Sequence, residues 1–111
     1  MQSKHGSLEG AVMSALWSLE EKGVFTNSVK EVFEWLNKNS NEKRAYTTIK
    51  TVMDRLYEKK FLLRYKKGNK FFYKTSYSNH EIVVNSLNEI SKRYCSGDLS
   101  KLQSILESIL K

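Results

Sequence analysis

At 111 residues, with one cysteine, no proline and 40% hydrophobic side chains, the chain can build one core without a disulfide framework or a structural metal. This composition excludes intrinsic disorder, and no run approaches the ~20 apolar residues that crossing a bilayer demands. The formal net charge of +7 is localised: Lys43 to Lys74 holds eleven basic residues against two acids, and the remainder is slightly acidic. Such a concentrated basic segment is the electrostatic footprint of a nucleic-acid-binding surface.

The N-terminus, MQSKHGSLEG, lacks the apolar core of a secretory signal, and a lone Cys95 fits a reducing cytoplasm. Ser7 is expected to cap a first helix reaching about Lys22, with Leu8, Val12, Ala15, Leu16 and Leu19 inward and Met13 and Trp17 on the flank. Gly23, tolerant of positive φ, ends it. Ser28-Val29-Lys30-Glu31 reads as a capping box for a second helix, whose Val29, Val32, Phe33 and Leu36 recur at i, i+3, i+4 and i+7. That helix should end near Lys38, with Asn37 to Lys43 forming a polar loop.

The third helix, Ala45 to Tyr57, carries Ile49, Val52, Met53 and Leu56 on one face. The opposite face holds Thr47, Thr48, Lys50, Thr51, Asp54 and Arg55. Three β-branched threonines cost helix stability, so their presence suits a surface that lies close to a polyanion. Hydroxyls reach phosphates or base edges, the threonine methyl meets thymine methyl, and lysine reaches the acceptor edge of guanine.

After Lys60 the hydrophobic period changes from 3.6 to 2. Phe61 to Lys66 and Lys70 to Thr75 flank Lys67-Gly68-Asn69, which is the pattern of a β-hairpin with a basic tip. Its aromatic residues are expected to serve as core and not as base-stacking groups, because strand alternation buries half of them against the helices. Ser78-Asn79-His80-Glu81 opens a fourth helix with Val83, Leu87, Ile90 and Tyr94 in register, ended by Gly97. Asp98 caps a fifth helix bearing Leu99, Leu102, Ile105, Leu106, Ile109 and Leu110. Two amphipathic helices placed after the hairpin have little core left to cover, which points to self-association.

The expected fold is mostly α with a small β-hairpin: a winged helix-turn-helix over residues 1–77 and a C-terminal helical dimerisation region over 78–111. The third helix would enter the major groove while the wing touches the flanking backbone, and a dimer would match a palindromic site. The expected DNA interface is Arg44, Tyr46, Thr47, Thr48, Lys50, Thr51 and Arg55 with Lys66, Lys67, Asn69 and Lys70 of the wing. The expected dimer interface is Val83, Leu87, Ile90, Tyr94, Leu99, Leu102, Ile105, Leu106 and Ile109. The partners expected are double-stranded DNA and a second copy, with no membrane, cofactor, metal or identifiable small-molecule effector.

The runs Leu8-Glu9-Gly10-Ala11-Val12-Met13, Leu16-Trp17, Tyr46-Thr47-Thr48-Ile49-Lys50-Thr51-Val52-Met53-Asp54-Arg55-Leu56, Lys59-Lys60-Phe61-Leu62 and Phe71-Phe72-Tyr73 resemble the penicillinase (β-lactamase) repressor family. That family includes the methicillin-resistance and copper-transport operon repressors. The resemblance implies a homodimeric bacterial repressor that binds an operator dyad through its N-terminal domain. It places Thr47, Thr48, Lys50 and Thr51 toward DNA, with Arg55 further along. The chain departs from the family in three places. Arg44-Ala45 stands where an aromatic-Ser pair is usual; no Asn-Phe bond exists for inactivating cleavage; and one cysteine cannot supply paired Cys-x-Cys motifs.

An enzyme is disfavoured, because His5, His80 and Cys95 are too scattered for a thiol-imidazole pair or a zinc site and no phosphate-cradling glycine loop occurs. The alternative function is a winged helix that docks its basic face on an acidic protein. A threonine-rich face lacks the aromatic and arginine anchors such docking favours. RNA binding would need an exposed aromatic and arginine stacking platform, which the pattern does not suggest.

Overall fold

The computed structural model describes residues 7–111; His5 lies outside them. Helices α1 (Ser7–Glu21), α2 (Val29–Asn39) and α3 (Tyr46–Glu58) precede strands β1 (Leu62–Lys67) and β2 (Lys70–Thr75), followed by α4 (Asn79–Tyr94) and α5 (Leu99–Leu110). The chain divides into two compact units, the first ending at Tyr77 and the second running Ser78–Lys111. No helix among the described residues is long and apolar enough to cross a membrane.

In the first unit, α1, α2 and α3 pack on one another, and the hairpin closes the open side against α3 and α1. The core is built from Val12, Met13, Ala15 and Leu16 of α1, Val29, Val32 and Leu36 of α2, and Ile49, Val52, Met53 and Leu56 of α3, with Leu62 and Tyr73 from the hairpin. Met13 is therefore a core residue and not a flanking one, buried together with Val12, Ala15 and Leu16 where α1 meets α2, α3 and the hairpin. Helix α1 begins at Ser7 itself, so the expected Ser7 cap falls at the edge of the described residues.

Local signals in the sequence explain where the elements stop. Helix α1 closes in a Schellman turn: Gly23 takes φ +87°, its N–H donates to Glu20 and the Val24 N–H to Leu19. Helix α3 closes in the same way through Lys60 at φ 70°, whose N–H donates to Tyr57 while the Phe61 N–H donates to Leu56. Helix α2 begins at the expected box, the Glu31 carboxylate accepting from the Ser28 N–H at 2.6 Å. It runs to Asn39, so Asn37 belongs to the helix and not to the following loop.

The hairpin pairs Leu62 with Thr75 through to Lys67 with Lys70, leaving Gly68-Asn69 as a two-residue turn. Positive φ at Gly68 and not at Asn69 is the type II′ pattern, whose twist suits a hairpin. Strand β1 thus runs one residue later than the Phe61–Lys66 span expected from pattern. Tyr73 also bridges to Asn27, its N–H donating to the Asn27 carbonyl at 2.8 Å, which ties the wing to the segment before α2. Glu20 of α1 grips the wing base, accepting from the Thr75 N–H at 2.8 Å and its hydroxyl at 2.7 Å.

In the second unit, α4 and α5 pack together. The buried positions are Ser91 and Cys95, which continue the half-buried Leu87 at intervals of four. Val83, Ile90 and Tyr94 of the expected stripe are exposed, as are Leu99, Ile105, Leu106 and Ile109.

Candidate nucleic-acid interface

Helix α3 is held so that one face is sealed and the other is open. Ile49, Val52, Met53 and Leu56 are buried, and Tyr46, Thr47, Thr48, Lys50, Thr51 and Arg55 are exposed. The turn before it is set by Asn37, whose side-chain amide acts as a short ladder rung: Nδ2 donates to the Arg44 carbonyl and Oδ1 accepts from the Arg44 N–H at 3.0 Å. The N-cap of α3 is Ala45, which offers no side-chain acceptor, so the first amides of α3 are left open at its start.

The threonines differ in chemistry. The Thr51 hydroxyl donates back to the Thr47 carbonyl at 2.9 Å, which commits its proton to the helix. Thr47 and Thr48 make no such bond among the described residues. Tyr46 packs its ring edge-on against Phe33 at 5.6 Å, fixing the start of the helix. Arg44 is drawn aside, its guanidinium pairing with Glu42 at 2.9 Å and its side chain mostly covered.

A feature that pattern reasoning missed sits at the centre of the face. Asp54 binds three partners from three elements, α3, β1 and β2. Its Oδ2 meets the Lys50 ammonium at 3.0 Å, and its Oδ1 accepts from the Tyr73 hydroxyl at 3.1 Å and faces Arg64 at 3.6 Å. The hydrogen bond and charge of Asp54 raise the Lys50 pKa above its ordinary 10.5. Burial raises the Tyr73 phenol above 10.0, against the opposing pull of Arg64. The Arg64 guanidinium lies over the rings of Tyr57, at 4.0 Å, and Phe71, at 4.3 Å. Only the opposite sign of Asp54 within so basic a segment hinted at this hub.

Lys66, Lys67, Asn69 and Lys70 are all exposed at the wing tip. A cleft of about 300 Å³ brings Asn69 and Lys70 together with Tyr46 and Lys50 of α3 and Ser28 and Lys30 at the start of α2. Four of the residues singled out from sequence therefore share one concavity, and Lys30 joins them unforeseen. Of the hairpin aromatics Tyr73 is buried, Phe61 is half-buried against the core and Phe72 half-buried. Tyr65 and Phe71 are exposed, and Tyr65 stacks on Phe72 at 5.8 Å across the strands. Alternation puts Tyr65 and Phe72 on the outer face, whereas Phe71 shares the face of Tyr73 and is exposed because it lies toward the wing tip, beside the Arg64 guanidinium.

His80 lies in the first turn of α4 and Cys95 caps its end, a separation of about 22 Å along the axis at ~1.5 Å per residue. The two cannot pair within one chain.

Three packed helices, an open polar helix face and a basic hairpin define a winged helix-turn-helix with the surface of a DNA-binding regulator. The model of the penicillinase repressor family matches residues 5–109, and the chain belongs to that family. It is a DNA-binding transcriptional repressor, of a family of regulators and not of enzymes. No curated protein matches the chain.

Proposed function

We propose that the protein acts as a homodimer on a palindromic operator, with α3 in the major groove and the wing on the flanking backbone. The observation that carries this reading is the open face of α3, joined through one cationic cleft to the wing tip. Thr47, Thr48, Lys50, Thr51 and Arg55 are the base-reading and groove-lining set, with Tyr46 at the helix start. Lys66, Lys67, Asn69 and Lys70 sit on phosphates, where sequence is not read. Arg44 must leave Glu42 to contribute.

The second unit supplies the dimer. Val83, Ile90, Tyr94, Leu99, Ile105, Leu106 and Ile109 are exposed and Leu87 and Leu102 half-buried, an apolar surface that a second copy would cover. Two copies joined there present two α3 helices to two half-sites.

The test is a salt titration on random duplex and on duplex selected by the protein from a random pool. Affinity should fall steeply with salt and the pool should converge on a palindrome. Steep salt dependence with no enriched sequence would leave a non-specific binder. Absence of binding at low salt would favour an acidic protein partner for the same face.

A further inference from the structure

We propose that Asp54 sets the specificity of the α3 face by holding Lys50, which directs the ammonium to base edges and withholds it from backbone phosphates. The inference rests on α3 being the groove-entering helix.

A carboxylate in the middle of a DNA-facing surface opposes binding, because it repels phosphate. Of the two acids between Lys43 and Lys74, Glu58 ends α3 whereas Asp54 lies within its polar face. The geometry shows why Asp54 cannot swing clear. Its Oδ1 is fixed by the Tyr73 hydroxyl, and Tyr73 is buried with its backbone bonded to Asn27. Arg64, the second anchor, lies over two aromatic rings. Lys50, with more than half its side chain exposed, is the partner free to respond.

An untethered lysine is a strongly hydrated charge on a flexible four-carbon arm, equally able to reach either phosphate of a groove. Held by Oδ2, Lys50 has one donor engaged and two left over the helix face, where guanine acceptors are within its chemistry. Ordering the arm before contact also reduces the entropy lost on binding. Asp54 is thus a positioning residue acting through Lys50, with the wing strand as its support.

Asp54→Asn keeps the size of the side chain and can still accept from Tyr73, but no longer holds a charge. With full-length protein, this variant should bind random duplex about five- to tenfold more tightly at about 0.1 M salt. Its salt dependence should steepen by about 0.9 in log–log slope, the value of one added phosphate contact, while the ratio of selected to random affinity falls. In a Lys50→Ala background, where only the relief of repulsion remains, the same substitution should steepen the slope clearly less. Tyr73→Phe, which loosens the wing while keeping both charges, should keep the wild-type slope. An Asp54→Asn protein that loses affinity for both duplexes at constant slope would overturn the proposal, since Asp54 would then be only a wing anchor. The same steepening without Lys50 would also overturn it, as simple relief of repulsion. If Lys50→Ala leaves discrimination intact, the groove-entering role of α3 fails and this inference with it. If Lys50→Ala abolishes discrimination and Asp54→Asn does not lower it, the inference alone fails.

Discussion

Individual side chains on the basic face differ in placement and in the partners they hold, and the proposed roles divide along the same lines. Lys50 stands on the open face of α3, proposed to read bases, while Lys67 stands at the wing tip. Lys50→Ala should lower the preference for selected over random duplex, whereas Lys67→Ala should weaken both about equally. Equal losses in both titrations for both variants would remove the division of roles. Tyr73 offers a separate handle. Burial holds its phenol above its ordinary 10.0, so its contribution to stability is complete below that value and is lost as pH rises through the higher folded-state value. Tyr73→Phe should be less stable by about 1 kcal/mol near neutrality, from the lost hydrogen bond to Asp54, yet should show a flatter alkaline limb in denaturation against pH.

At the scale of elements, the ends of helices decide how α1, α3 and α4 meet their neighbours. Both α1 and α3 finish in Schellman turns, but α1 places Gly23 in the left-handed position and α3 places Lys60 there. A left-handed residue with a Cβ costs roughly 1–2 kcal/mol, so Lys60→Gly should raise the thermal midpoint and Gly23→Ala should lower it. The second unit is held by polar caps. Ser78 bonds lower the Glu81 pKa, and Ser100 bonds lower that of Asp98. Groups depressed in this way stabilise above their unfolded pKa, and the benefit disappears as pH falls through the folded values. Helix content of the Ser78–Lys111 unit should therefore decline on acidification below the ordinary carboxylate range, and Asp98→Asn should blunt part of that decline in circular dichroism.

For the whole molecule, the exposed apolar surface of α4 and α5 and the independent core of the first unit argue that assembly and folding are separable. A chain truncated after Ser78 should remain folded, sediment as a monomer and bind DNA weakly. A truncated chain that still dimerises and holds a palindrome at full affinity would refute the assignment of the dimer to the C-terminal helices. The lone Cys95 is buried beside the C-terminus of α4, so its reactivity in the native state should be low toward thiol reagents.

The order of elements, the capping boxes at Ser28 and Ser78, the Gly23 stop and the inward faces of α2 and α3 were legible in the sequence, because each is fixed by residues within one or two turns of one another. The localised charge, the threonine face and the family resemblance followed from the same linear record. Tertiary structure decided what depends on distant residues meeting. It buried Met13, which periodicity had placed on a flank, because the hairpin and α3 close over α1. It exposed Tyr65, on the outer face of the hairpin, and Phe71, which shares the face of Tyr73 but lies nearer the wing tip. It also joined Asp54 to Lys50, Arg64 and Tyr73. Only the Lys50 contact has helical spacing; the other two need the wing to fold back across ten and nineteen residues of chain, and no local pattern encodes where such a return lands.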